Sequence, residues 1–285
     1  MLRKNIEEVI KVKEKTKKAL IITALSLVLV GLVLYIAAEL GAFKKGDKLQ
    51  GIRKELTAVE LTRLMGNGIN LGNTMEAYGH ASLGTNAAVS SYETLWGQPV
   101  TTQEMITAMK NSGFDTIRIP VAWTNTMNFE SGDYTIREDW FARVEEIVGY
   151  AMNENMYVIV NDHWDGSWWG MFGSATAKTR QKAMDMYISM WTQIAERFKN
   201  YSDYLIFESA NEELGDRLND QDIAKDSGTL STNECYEITN KINQTFVDTV
   251  RATGGNNSQR FLLIAGYGTD IKTTCDDRYV MPSDS

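Results

Sequence analysis

An α/β architecture built on a parallel sheet that curls toward a (β/α)8 (TIM) barrel is what the sequence predicts. About five β/α units are expected, preceded by one N-terminal transmembrane helix. Three observations carry the prediction. Short, wholly apolar runs alternate with long amphipathic stretches, the order of strand and helix that specifies a parallel sheet with helical cover. Each apolar run breaks into a polar, aromatic-rich loop while each return is short, which puts chemistry on one face. No glycine-rich phosphate loop follows the first run, which counts against a dinucleotide-binding doubly wound sheet.

The elements follow in order. Residues 1–18 form a basic tail, and residues 19–38 are an uninterrupted uncharged run. Twenty residues at helical rise match a bilayer core of about 30 Å. The run is longer than the apolar region of a cleaved signal, and its exit fits a small-x-small site poorly. An uncleaved signal anchor is therefore expected, with a cleaved signal as the alternative. The basic flank belongs in the cytoplasm, which places the main domain outside the cell. Residues 39–55 are a linker, and residues 56–285 form the main domain.

Thr57-Ala-Val-Glu60 reads as a capping box opening a short helix that ends at Gly66. Gly68–Leu71 reads as the first strand. A second capping box at Thr101-Thr-Gln-Glu104 opens a helix that stops at Gly113, and Phe114–Val121 is the second strand. Trp140–Asn153 is an amphipathic helix and Tyr157–Val160 the third strand. A long helix over Ala177–Lys199 turns Tyr187, Trp191, Ile194 and Phe198 inward. Tyr204–Phe207 is the fourth strand, too short for a helix and apolar on both faces. A third capping box at Ser231-Thr-Asn-Glu234 opens a helix ending at Gly254-Gly255, and Phe261–Ala265 is the fifth strand.

Charge narrows the function. The chain of 285 residues carries a formal −8, but residues 1–48 hold ten Lys/Arg against five Asp/Glu, leaving −13 on the rest. An acidic body argues against a nucleic-acid surface and suits a neutral ligand. All seven Trp lie beyond position 90, an abundance that points to aromatic platforms. Cys235 and Cys275, without a CxxC or a nearby His pair, give no metal signature; idle thiols are expected, with a disulfide as the alternative.

The strand ends say more. Gly68-Ile-Asn-Leu-Gly-Asn-Thr-Met-Glu76, the arginine of Ile117-Arg-Ile-Pro120, His163 and Asn211-Glu212 stand in order at four successive strand ends. Together they resemble glycoside hydrolase family 5, the cellulase family of retaining (β/α)8 glycosidases, from about Leu56 onward. The resemblance implies an endo-β-1,4-glucanase without metal or cofactor. Glu212 matches the acid/base that protonates the leaving oxygen, and Asn211 the residue that bonds the sugar 2-hydroxyl. Arg118 matches an arginine that keeps the nucleophile ionised, and His163 a histidine lining the cleavage subsite. Arg118 could instead pair with a core carboxylate, and Glu208 is the competing functional carboxylate.

Trp123, Trp164, Trp168 and Trp169 are candidate stacking platforms for sugar rings, at least one of them structural, while Trp140 and Trp191 belong to the core. Asn73, Asn161 and Asp165 are candidate hydroxyl partners, and His80 is given no role. Retaining hydrolysis needs a second carboxylate about 5–5.5 Å from the first. The resemblance puts it on a seventh strand, and the sequence stops at Ser285 after five. A truncated, marginally stable copy lacking its nucleophile is expected. The alternative is a membrane-tethered protein that binds β-glucan without cleaving it. Xyloglucan, mixed-linkage glucan and mannan stay open as substrates.

Overall fold

In the computed structural model, residues 51–166, 168–221 and 224–284 are described; the expected membrane span at 19–38 lies outside them. Five strands form one sheet: β1 (Gly68–Asn70), β2 (Thr116–Ile119), β3 (Tyr157–Asn161), β4 (Leu205–Glu208) and β5 (Leu262–Leu263). Their order is β1-β2-β3-β4-β5 and every pairing is parallel. That is the running order of a barrel wall, not of a doubly wound sheet, whose strand order reverses at a switch point.

Helices intervene between strands: α1 (Ala58–Leu64) before β1; α2 (His80–Leu83), α3 (Val89–Glu93) and α4 (Gln103–Asn111) before β2; α5 (Glu138–Asn153) before β3; α6 (Ala177–Phe198) before β4; and α7 (Thr232–Ala252) before β5. A last turn, α8 (Ile271–Thr274), follows. The capping boxes at Thr57/Glu60 and Ser231/Glu234 are both formed. The middle one is not: Thr102, not Thr101, caps α4, accepting from Met105 N–H. The Thr101 N–H is drawn instead to the buried carboxylate of Glu93, 2.7 Å away, which Arg143 of α5 holds in place.

The period of two along each strand separates two faces. Ile117, Ile119, Val158, Val160, Leu205 and Phe207 point outward into the main core, where Trp140 of α5 and Tyr187, Trp191, Ile194 and Phe198 of α6 are fully buried. Each such side chain contributes about 1.5–3 kcal/mol on removal from water. Tyr157, Ile159 and Ile206 point inward, with Leu61 of α1 beneath them. Arg53 closes this lower end, bonding Asp203 at 2.8 Å and the Tyr157 hydroxyl at 2.9 Å. The inward series continues upward to Arg118 and Glu208, whose neighbours in the ladder are Ile159 and Asn161. Cys235 is buried and Cys275 exposed, and both are free thiols.

Candidate active site

The centre of the upper rim is a fork. Arg118 donates from Nε to Glu208 Oε2 at 2.6 Å and from Nη2 to Glu208 Oε1 at 2.8 Å. The bidentate geometry is the strong form of a charge-assisted bond. Nη2 also donates to Asn211 Oδ1 at 2.9 Å. Arg118 therefore pairs with the carboxylate of β4. With Oδ1 held, the amide nitrogen is the end of Asn211 that can donate to a ligand hydroxyl. Glu212, the next residue, is exposed to solvent.

His163 follows β3 and sits half-buried beside this fork. Its backbone N–H bonds Val121 O at 3.0 Å, and Nδ1 lies 3.3 Å from the Asn161 side-chain nitrogen. An amide donor on Nδ1 puts the neutral ring's proton on Nε2. Burial, helped by the charges of Arg118 and Arg217, pushes the imidazole down from 6.5 to about 4. At neutral pH it is an uncharged donor, not a cation.

Trp164 is 43% exposed and is the one of the four candidate platforms whose ring is open at the rim. It adopts φ +50°, a left-handed conformation that costs a bulky residue about 1–2 kcal/mol. Arg217 lies over the ring at 3.9 Å from its centroid, and Trp96, 39% exposed, meets it edge-on at 6.3 Å. Trp96 was not singled out in the sequence. Its position just after α3, beside Leu95, is the only local signal, and nothing local joins it to Trp164.

The other three indoles are buried, which corrects their reading as platforms. Trp123 donates from Nε1 to Asn161 O at 2.9 Å and packs on Phe141 of α5, so it ties two strand-end loops together beneath the rim. Trp168 and Trp169 stack on each other at 4.4 Å, against Phe172 and Tyr187, in the 3-10 turn Trp168–Gly173. That turn is pressed on the backbone of residues 218–220, where a Cβ on Gly170 would collide with the Asp220 carbonyl.

Two of the expected hydroxyl partners are also internal. Asp165 is fully buried and accepts from Thr124 N–H at 2.9 Å and from its hydroxyl at 2.6 Å. Asn161 is fully buried, with Oδ1 unpartnered. Beside Asp165, Asp162 is equally buried; burial and the Asp165 charge push its carboxyl well above the ordinary range. Asn73 is exposed at φ +62°, with its N–H on Glu76, so its side chain is open to a ligand. His80 is a packing residue, 3.2 Å from Met127 O and 4.7 Å from the Phe129 ring.

The residue that sequence reasoning missed is Glu213. It is fully buried, accepting Trp164 N–H on Oε1 and Asn211 N–H on Oε2, both at 2.8 Å. Burial pushes its carboxyl from 4.5 up to about 7, against these two bonds and Arg217 at 4.0 Å. Among the described residues no group of His, Cys, Asp and Glu is arranged to hold a metal ion.

Comparison with known proteins adds to this geometry. The family described as cellulase (glycosyl hydrolase family 5) matches residues 79–285. Endoglucanase A of Ruminococcus albus is 38% identical over 231 residues, covering 81% of this chain and 58% of that protein. The xyloglucan-specific endo-β-1,4-glucanase of Bacteroides ovatus is 36% identical, covering 81% of this chain and 43% of that protein. A family 5 lichenase from Caldicellulosiruptor sp. F32, solved with cellotetraose, superposes with a TM-score of 0.68 at 38% identity, covering 81% of this chain and 60% of that one. The chain thus spans roughly half the length of the curated relatives it matches.

Proposed function

Because the chain belongs to the cellulase family, glycosyl hydrolase family 5, we propose that it carries the acid/base half of an endo-acting β-1,4-glucan hydrolase. The observation that carries this is the rim itself: Glu212 exposed beside an Asn211 amide oriented by Arg118, with the open rings of Trp164 and Trp96 alongside. Glu212 protonates the departing glycosidic oxygen and later takes the proton from water. Asn211 donates to the 2-hydroxyl, a bond that tightens as the anomeric carbon becomes oxocarbenium-like. The neutral His163 lines the cleavage subsite as a hydroxyl partner. Trp164 stacks on the apolar face of a glucosyl ring, and Asn73 offers a further polar contact.

Double displacement needs a second carboxylate. Glu208 pairs with Arg118 but stands on the same strand end as Glu212, too near to face it; Glu213 and Glu76 are held by backbone N–H groups, Asp165 by Thr124, and Asp162 is fully buried. On this reading the nucleophile comes from outside the described strand ends, and the 285-residue chain binds glucan without turning it over. The same tied carboxylates favour a glucan-binding role, tethered to a membrane through residues 19–38, as the second reading. Cellotetraose titrated into the full chain tests the glucan assignment: micromolar to millimolar binding that weakens about tenfold in Trp164→Ala supports it, and no binding refutes it. Reducing-sugar release from carboxymethyl cellulose by the same chain would refute the absent nucleophile.

A further inference from the structure

Glu212 and Glu213 are adjacent carboxylates with opposite surroundings, and the proposed chemistry uses only the first. The second is a buried acid whose two oxygens each accept a backbone N–H from a different strand-end loop. Oε1 takes Trp164 of the loop after β3, and Oε2 takes Asn211 of the loop after β4. Trp164 is bulky and left-handed at φ +50°, so something must hold it there. Asn211 immediately precedes Glu212.

We propose that Glu213 is a positioning residue: its carboxylate pins the left-handed Trp164 backbone and the Asn211–Glu212 backbone to one point, fixing the stacking platform relative to the proton donor. The inference rests on the β-glucan reading for its purpose, but its geometry stands without it. An ionised carboxylate accepts strongly at both oxygens, whereas protonation turns one of them into a hydroxyl that donates and accepts only weakly, loosening one of the two N–H contacts. Glutamine repeats that defect at almost the same shape, with one acceptor and one NH2. The pin is therefore a charge-dependent device. The groups facing it are Arg217 on its own loop, Asp162 on the loop after β3, and Arg118 of β2 through Asn211. Burial raises the Glu213 carboxyl to about 7, so the pin closes in the neutral range.

The test is amide hydrogen exchange, read by mass spectrometry on the full chain, with cellotetraose binding measured beside it. In Glu213→Gln, exchange at Trp164 and Asn211 is expected to rise at least about tenfold while core strands stay protected, and cellotetraose affinity is expected to fall by a similar factor. In the wild type, protection at these two amides, corrected for intrinsic exchange, is expected to be lost as pH falls from 8 to 5.5. This second arm needs no variant and decides the matter where Glu213→Gln fails to fold. Unchanged protection at both amides in the variant, or a flat wild-type profile, overturns the inference. A wild type that shows the exchange behaviour yet ignores cellotetraose overturns the glucan reading and leaves the pin standing.

Discussion

His163 and Glu213 make opposite demands on stability as pH changes, and their cancellation can be unmasked. The folded His163 imidazole titrates at about 4 against an ordinary 6.5, so between those values the unfolded chain holds the extra proton. Its contribution is complete above pH 6.5 and is lost as pH falls. The folded Glu213 carboxyl titrates at about 7 against 4.5, so in that window the native state holds the extra proton. Its contribution is gained as pH falls. Integrating each linkage from pH 7 to 4.5 gives a loss of about 2.5 kcal/mol for His163 and a gain of about 2.5 kcal/mol for Glu213. Denaturant unfolding followed by tryptophan fluorescence at both pH values measures the change. Relative to wild type, acidification should stabilise His163→Gln by about 2.5 kcal/mol and destabilise Glu213→Gln by the same amount. The double variant should return to the wild-type pH response. Asp165 and Glu76 titrate in all four proteins and drop out of the differences; Asp162, raised in part by the Glu213 charge, drops out for His163→Gln and is relaxed in the two variants that lack Glu213. A His163→Gln profile within about 0.5 kcal/mol of wild type at both pH values would refute the half-buried neutral imidazole.

Three further outcomes follow from the same contacts. Arg118→Met strands the Glu208 carboxylate in a nearly buried site and should cost about 3–5 kcal/mol in denaturant unfolding, most of it recovered when Glu208→Gln is added. Arg260→Met should cost about 3 kcal/mol or more, because all five N–H groups of this buried guanidinium are bonded, to Asn257 Oδ1 and the carbonyls of Phe198, Tyr201, Ser202 and Leu205. Glu212→Gln, at an exposed position, should unfold within about 0.5 kcal/mol of wild type, with cellotetraose binding preserved; a larger loss would give Glu212 a structural role at odds with its exposure.

The fold was legible where local chemistry suffices. Two capping boxes formed as read because Thr57/Glu60 and Ser231/Glu234 satisfy their own backbone donors three residues apart. The box at Thr101 failed because a residue eight positions upstream, Glu93, took its N–H first, and Glu93 is there only because Arg143 of another helix holds it. Strand existence was read from apolar runs, but strand ends were not. Phe114–Val121 shrinks to Thr116–Ile119 because its paired register with β3 runs only from Thr116 to Ile119. Tryptophan count pointed to platforms; orientation, set by Asn161 O for Trp123 and by mutual stacking for Trp168 and Trp169, made three of the four internal.

The site was legible in its residue types and hidden in its pairings. Arg118 and Glu208 lie ninety residues apart, and only the register that sets Arg118 against Ile159 and Asn161 against Glu208 brings them together. The adjacent glutamates are the sharper case. Glu212 and Glu213 are the same letter in the same local context, yet one is exposed and the other fully buried. What separates them is a turn that presents two N–H donors, Trp164 and Asn211, to the second carboxylate alone. Those donors make burial of a charge tolerable without removing its cost, as the raised Glu213 value records. A carboxylate retained at that cost, where an apolar side chain would pack more cheaply, argues that the position answers to the geometry of the rim and not to stability.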